Sequence, residues 1–206
     1  MVYRDSQGRI RFKIVFWGPS LSGKTTMLKA LYNRLRVKIK GRIKSIEDPS
    51  GRTLFFDYVP FGLRGNVVFD VYTVPGQRRH KRQRKIILQG ADAIIFVVDS
   101  SPDALAENIY SFRELKEFLG QEFDEIPIVV ALNKRDLDDA LPERVLVKAL
   151  RLDGPWPIHK TIATEGLGVK RVFQDAAQLS ILYRAFPNEY ERFRRSLALE
   201  TREKFR

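Results

Sequence analysis

The chain has 206 residues, of which 44% are apolar and 30% charged, so it suits one principal domain with a short appendage and is not a disordered chain. No apolar run approaches the roughly 20 residues of a spanning helix, no secretory signal pattern is present, and the absence of cysteine excludes disulfides, thiolate metal sites and the usual lipid anchors. We therefore expect a cytoplasmic protein, and its net charge of +12 favours anionic partners.

The first predicted elements are a strand, a glycine loop and a helix. Residues 10–17 form an apolar run of strand formers, and residues 25–35 have the apolar spacing of a helix with one buried stripe. Between them GPSLSGKT matches the pattern G-x-x-x-x-G-K-[S/T], in which backbone N–H groups surround phosphate oxygens. Lys24 would neutralise the β and γ phosphates, and the Thr25 hydroxyl would bind Mg2+. The predicted phosphate-binding residues are Gly18, Ser20, Leu21, Ser22, Gly23, Lys24, Thr25 and Thr26.

A basic connection and a hairpin follow. Residues 36–52 are basic and interrupted by glycine without sustained periodicity, which indicates an exposed connection. Residues 54–60 and 67–74 have strand patterns, and residues 62–66 would form the turn between them. This hairpin would place one antiparallel strand at an edge of the sheet.

Strands and helices alternate through the rest of the chain. Three more strands are predicted at residues 93–99, 127–132 and 158–163, and helices at 79–88, 104–119, 141–150 and 168–183. This order predicts an α/β fold of three layers, the P-loop NTPase type, with a mostly parallel six-stranded sheet. Spaced apolar residues within 188–205 predict an added C-terminal helix, so residues 185–206 would form a helical extension.

A base-reading motif stands at the carboxyl end of a predicted strand. Asn133, Lys134 and Asp136 form the pattern N-K-x-D. The Asp136 carboxylate can accept hydrogen bonds from the ring N–H and the amine of guanine, whereas adenine offers no matching donor pair. Asn133 would support the surrounding loops, the Lys134 stem would pack along the base, and backbone N–H groups at Ala163 and Thr164 would contact the guanine oxygen. A solvated polar turn is the alternative for this motif taken alone.

With these elements in order, residues 10–184 resemble the Ras superfamily of small GTPases. The strings R-T-L-F-F-D and T-V-P-G-Q resemble the MglA-type, gliding-protein branch found in bacteria and archaea. The resemblance implies a Ras-like GTP-binding domain over residues 1–184 that binds GTP or GDP with Mg2+ as its cofactor. It also implies a Roadblock/LC7-type regulator as a partner.

The resemblance assigns roles in two switch segments. Thr53 would be the switch I threonine that binds Mg2+ and senses the γ-phosphate. Gln77 would orient the attacking water, Gly76 would reach the γ-phosphate through its N–H, and Arg52 would act as an arginine supplied in cis. On the residues alone, Arg52 could instead be a solvated base and Gln77 a polar residue at a helix start.

Two positions depart from the family pattern. Thr73 stands where most small GTPases have an aspartate that supports Mg2+, and its hydroxyl can hold a metal-bound water but brings no charge. Asp57 is the candidate to replace that carboxylate. Ser20 replaces a common glycine and could crowd the attacking water, so we expect slow hydrolysis without a partner. The predicted function is a hydrolysing GTP/GDP switch; the alternative is a GTP-binding interaction module with negligible hydrolysis.

Two basic clusters flank the switch segments. One spans residues 78–85, and the other leads into switch I: Arg34, Arg36, Lys38, Lys40, Arg42 and Lys44. Such runs are often only solvated faces. Here an acidic protein or an anionic membrane surface could read the nucleotide state through them, which would place the protein at the membrane periphery. Nucleic acid is not an expected partner, because interleaved aromatics, zinc spacing and a recognition-helix pattern are missing.

Overall fold

A computed structural model describes residues 4–34, 39–40, 57–63, 66–152 and 154–205. Its strands are β1 Ile10–Trp17, β2 Ile39–Lys40, β3 Tyr58–Leu63, β4 Val67–Thr73, β5 Ala93–Asp99, β6 Ile128–Asn133 and β7 Ile158–Lys160. Its helices are α1 Lys24–Arg34, α2 Lys81–Leu88, α3 Leu105–Leu119, α4 Glu143–Leu150, α5 Val169–Ala185 and α6 Pro187–Phe205. Short 3-10 turns precede α2 at Arg78–His80, precede α3 at Pro102–Ala104 and follow α3 at Gly120–Asp124.

The strands form one sheet in the order β2-β3-β4-β1-β5-β6-β7. Neighbours from β4 to β7 pair in parallel, whereas β3 is antiparallel to β4 and β2 is antiparallel to β3. The predicted mostly parallel α/β sheet is confirmed. The structure adds β2 as a seventh strand beyond β3, and two residues are too few to produce a strand pattern in the sequence.

The two faces of the sheet carry separate apolar layers. Along β1, Ile14 and Phe16 point to the side covered by α1 and α5, while Val15 and Trp17 point to the side covered by α2, α3 and α4. This alternation follows from the period of two in a strand. All seven residues of β5 are buried, as expected for a central parallel strand covered on both faces. The predicted three-layer arrangement is therefore present.

Most predicted boundaries agree with the structure within two residues, with two informative exceptions. β7 ends at Lys160 rather than at residue 163. Thr161 still donates its N–H to the carbonyl of Leu132, but its hydroxyl and the N–H of Ala163 donate to the Asn133 side chain. The predicted strand at 54–60 begins at Tyr58 among the described residues and runs on to Leu63, and residues 54–56 lie outside the described part. The predicted turn at 62–66 is therefore wrong for Gly62 and Leu63, which pair with β4. Apart from β2, the predicted connection at 36–52 also lies outside the described part of the chain.

Helix α6 packs back on the domain. Tyr190 is buried, and its ring lies 5.4 Å from that of Tyr183 in α5. Arg194 donates a hydrogen bond to the carbonyl of Asp124, in the turn that follows α3. Among the described helices, none combines the length and the apolarity that crossing a membrane requires.

Candidate functional site

The phosphate-loop pattern lies between β1 and α1, at the carboxyl end of the sheet. Gly23 has a φ of +100°, and a Cβ there would lie 2.3 Å from Nδ2 of Asn133, so only glycine fits. Gly18 and Ser22 are buried and Ser20 is half-buried. Leu21 is exposed with a φ of +62°, and Thr26 is exposed on the first turn of α1. The predicted phosphate-binding residues at positions 18–26 thus run from the end of β1 through the loop into the first turn of α1.

Lys24 is buried at the start of α1 and turns its ammonium into this loop. Its Nζ donates hydrogen bonds to the carbonyls of Gly18, at 2.9 Å, and Pro19, at 2.6 Å. Burial, with repulsion from Arg84, lowers the pKa of Lys24 to about 7. An anionic phosphate beside the ammonium would favour its charged form and raise that pKa.

Three oxygen-bearing side chains meet next to the loop. Oδ2 of Asp57 accepts hydrogen bonds from the Thr25 hydroxyl, at 2.5 Å, and from the Thr73 hydroxyl, at 2.7 Å. The backbone N–H of Asp57 donates to the Thr73 hydroxyl at 3.0 Å. The Asp57 carboxylate is fully buried. The carboxylate predicted to replace the missing aspartate thus lies beside the hydroxyls of Thr25 and Thr73.

This donor set fits Mg2+. Mg2+ prefers oxygen ligands, and it is held by one or two protein groups together with substrate phosphates rather than by a protein cage. In the described part of the chain there is no cluster of three or more His, Cys, Asp or Glu side chains that could hold a metal by itself. The hydroxyl of Thr25 and the carboxylate of Asp57 would serve such an ion. Thr53 and Arg52 lie outside the described residues.

Gly76 brings the switch II segment against the phosphate loop. A Cβ on Gly76 would lie 2.4 Å from the backbone nitrogen of Ser20, so a side chain there would force the two segments apart. Gln77 follows in an extended conformation, with φ −70° and ψ 138°, and is half-buried. Gly76 therefore packs against the backbone of Ser20, the residue that stands where the family commonly has glycine.

Asn133 connects the phosphate loop to the loop that follows β7. Its Nδ2 donates to the carbonyl of Ser22 at 2.8 Å. Its Oδ1 accepts from the N–H of Ala163, at 3.0 Å, and from the Thr161 hydroxyl, at 3.1 Å. The side chain thus holds the phosphate loop and the loop after β7 together. Thr164, the next residue in that loop, is exposed.

The remainder of N-K-x-D forms the rim of this site. Lys134 has a φ of +62°, and its Nζ lies 2.6 Å from Oδ2 of Asp99. Arg135 donates to the carbonyl of Leu141 at 2.6 Å, and this bond closes the loop between residues 135 and 141. The Asp136 side chain is exposed.

Asp99 was not predicted from the sequence. Its carboxylate is buried at the end of β5 and accepts hydrogen bonds from the N–H and hydroxyl of Ser101, at 3.0 Å and 2.8 Å. It also pairs with Lys134. An aspartate as the last residue of an apolar strand was the available indication, because such a strand ends at the ligand-binding edge of the sheet.

The basic cluster at residues 78–85 contains both solvated and buried cations. Arg79, Arg82 and Lys85 are exposed, whereas Arg84 is buried and paired with Glu114 of α3. The prediction of one exposed basic surface for the whole run is wrong for Arg84. Arg84 lies three and four residues before the buried Ile87 and Leu88, on the same helix face, and this spacing could have indicated its burial. In the second cluster, Arg34 donates to the carbonyl of Glu165, and the members after it have no described side chains.

Comparisons with known proteins agree with this geometry. The sequence matches the ADP-ribosylation factor family over residues 2–179. Mutual gliding-motility protein MglA of Myxococcus xanthus (strain DK1622) is 38% identical over 181 residues, which cover 84% of this chain and 92% of that protein. ADP-ribosylation factor-like protein 6 of Caenorhabditis elegans is 28% identical over 175 residues, 81% of this chain and 85% of that protein.

A solved structure extends the comparison to the fold. The Arl6 (BBS3) small GTPase from Trypanosoma brucei, with the bound nucleotide analogue GppNp, matches with a TM-score of 0.64 and 25% identity. The match covers 82% of this chain and 97% of that chain. The predicted resemblance is confirmed: the chain belongs to the ADP-ribosylation factor family of Ras-like small GTPases, is of the MglA type, and binds guanine nucleotide with Mg2+.

Proposed function

We propose that this GTPase hydrolyses GTP to GDP slowly without a partner and uses the two nucleotide states as a molecular switch. The observation that carries the proposal is the contact of the Asp57 carboxylate with the hydroxyls of Thr25 and Thr73. This carboxylate supplies the negative charge that a threonine at position 73 lacks. A carboxylate there would help to hold Mg2+, which prefers oxygen ligands, and phosphoryl transfer depends on that ion.

The phosphate loop would hold the nucleotide by backbone and ammonium together. Lys24 would exchange its bonds to the loop carbonyls for bonds to β and γ phosphate oxygens. When bound, Mg2+ neutralises charge that develops on those oxygens. Thr25 and Thr53 would be its ligands, while Asp57 and Thr73 would hold it indirectly, Thr73 through a water.

Catalysis would depend on Gln77 and Gly76 in switch II. The Gln77 amide would orient the attacking water, and the Gly76 N–H would donate to the γ-phosphate. Arg52 would add positive charge in cis. We attribute the slow rate to Ser20. Gly76 lies close against the loop backbone at this residue, and a side chain in place of the common glycine would narrow the room for the water.

Guanine would be read by the loops that Asn133 joins. Asp136 is the proposed acceptor for the ring N–H and amine of the base. The Lys134 stem would lie along the base plane, and the N–H groups of Ala163 and Thr164 would reach its oxygen. The support for this assignment is that Asn133 bonds both the phosphate loop and Ala163.

The exposed cations of switch II suggest how a partner would distinguish the GTP-bound from the GDP-bound state. Arg79, Arg82 and Lys85 form a positive surface that would bind an acidic protein or an anionic membrane, and a Roadblock/LC7-type regulator is the proposed partner. We also propose a cytoplasmic location with peripheral membrane attachment. Residues 1–184 would form the GTP-binding domain and residues 185–206 the helical extension.

Single-turnover GTP cleavage with Mg2+ tests the proposal. Wild type is compared with Gln77→Ala, with Ser20→Gly and with Gln83→Ala, a control amide on the neighbouring helix α2. We expect Gln77→Ala to lower the rate by about 100-fold, as for loss of one oriented polar group, and Ser20→Gly to raise it. All variants should bind GTP equally. Equal rates for Gln77→Ala and Gln83→Ala would contradict the role of Gln77.

The contact between Gly76 and Ser20 also favours a second function, a GTP-binding interaction module with negligible hydrolysis. In that case wild type would bind GTP and leave it intact in the same assay. Because crowding at Ser20 is the reason offered for this function, Ser20→Gly should then gain measurable cleavage.

A further inference from the structure

Arg84 is a buried cation in the middle of an exposed basic run. Its side chain and that of Glu114 are each only 3% exposed. The guanidinium and the carboxylate meet through two bonds, from Nε and Nη2, both of 2.7 Å. This bidentate pair of N–H···O bonds fixes the plane of the guanidinium as well as its position.

The remaining donors of Arg84 bind the backbone of switch II. Nη1 donates to the carbonyls of Pro75, at 3.1 Å, and Gln77, at 2.5 Å, and Nη2 donates to the carbonyl of Arg78 at 3.4 Å. A guanidinium has five N–H donors, and all five are used here. The Arg84 guanidinium therefore anchors the backbone of residues 75–78 through three of its carbonyl groups.

These contacts surround the residue proposed to orient the water. The carbonyl of Gln77 is itself one acceptor, and the other two belong to residues on either side. Because Glu114 lies in α3, the segment is tied to the core of the domain rather than to α2 alone. Removing either charge would leave its partner buried without compensation and would free the carbonyls from their common anchor.

We propose that Arg84 and Glu114 are positioning residues that hold the backbone of residues 75–78, and with it Gln77, in the conformation used for GTP cleavage. The inference rests on the proposed function for its effect on rate. Its effect on the backbone is independent of whether the protein cleaves GTP.

The test separates positioning from mere stability. A buried ion pair can often be replaced by apolar residues of similar volume without loss of stability, so Arg84→Met with Glu114→Leu should fold yet lack the anchor. Glu114→Gln is the milder single change. The matched control is Lys81→Met with Glu117→Leu, because that ion pair of 3.0 Å joins the same two helices but is exposed.

Hydrogen-exchange mass spectrometry of the GDP-bound proteins gives the first readout. In both Arg84/Glu114 variants we expect the backbone amides of residues 76–80 to exchange about tenfold faster or more, with β5 unchanged and with the control at wild-type rates. Exchange that stays at the wild-type rate in residues 76–80 would overturn the inference. So would exchange that rises equally in β5, since that marks a general loss of stability.

Single-turnover cleavage gives the second readout. We expect the double variant to lose about tenfold or more in rate, as for misplacement of a catalytic group, while its GTP affinity stays within about threefold of wild type. A folded double variant that cleaves at the wild-type rate contradicts the inference. If wild type itself leaves GTP intact, the proposed function fails, and the amide exchange of residues 76–80 decides on positioning by itself.

Discussion

Asn133 donates a hydrogen bond of 2.8 Å to the carbonyl of Ser22, 111 residues earlier in the chain. The same side chain accepts the N–H of Ala163. One side-chain amide therefore holds together the phosphate loop and the loop after β7 that we propose to contact the base, although the two loops come from opposite halves of the sequence.

Asn133→Ala should weaken both. The change leaves the Ser22 carbonyl and the Ala163 N–H without this partner, and each buried unsatisfied group costs ~1–3 kcal/mol. We expect GTP and GDP affinity to fall by about tenfold or more, measured by titration with a fluorescent nucleotide. Asp138→Ala, an exposed change in the neighbouring loop, is the control and should bind normally. A normal affinity for Asn133→Ala would show that the loops hold their places without it.

Asp57→Asn should raise the Mg2+ requirement. The amide keeps the shape and the contacts to Thr25 and Thr73 but removes the charge, which hard cations need most. We expect about tenfold more Mg2+ for half-maximal GTP binding, since one lost charged contact costs ~1.5–3 kcal/mol. Nucleotide affinity in excess EDTA should be unchanged. Asp139→Asn serves as an exposed control, and the same Mg2+ dependence in both variants would contradict the role of Asp57.

Lys24 should make nucleotide binding pH-dependent. Burial lowers its folded pKa to about 7, below the ordinary value of 10.5, so the nucleotide-free protein carries it largely neutral at pH 8, while the unfolded chain keeps it charged. The free energy of unfolding of the nucleotide-free protein should thus rise between pH 7 and pH 10.5.

Phosphate favours the charged ammonium, so GDP binding at pH 8 should take up protons. Calorimetry in two buffers with different ionisation enthalpies measures this uptake as a difference in apparent binding enthalpy. Identical enthalpies in both buffers at pH 8 would mean that Lys24 is already charged in the free protein.

Tyr190 should anchor α6. Its ring is buried against Tyr183, whereas Phe193, three residues on, is 40% exposed. We expect Tyr190→Ala to lower the free energy of unfolding by about 3 kcal/mol and Phe193→Ala by less than about 1 kcal/mol, measured by urea denaturation of the GDP-bound protein. Equal small losses would indicate a loosely attached extension.

The sequence predicted those parts of the site that depend on short, contiguous patterns. The phosphate loop and N-K-x-D carry their chemistry in adjacent residues, and their strand and helix contexts were visible from periodicity. Arg84 with Glu114 and Lys134 with Asp99 were missed, because each pair joins residues 30 or more apart. Only the packing of α2 on α3, and of β5 beside β6, brings those charges together.

The short β7 was missed for a related reason. Residues 161–163 have the composition of a strand, and local preference favours continuing it. The N–H of Ala163 donates to the Asn133 side chain rather than to the backbone of a neighbouring strand, and no local sequence pattern predicts a hydrogen bond to a side chain at the end of another strand.

The shortness of the outermost strands has a consequence for behaviour in solution. β7 has three residues, and β2, as far as the structure describes it, has two. A sheet can recruit a second chain only through unpaired N–H and C=O groups along an exposed edge. With so few of them in β7, that edge of the sheet gives a neighbouring molecule little backbone to pair with, and we expect little pairing of sheet edges there when the protein is concentrated.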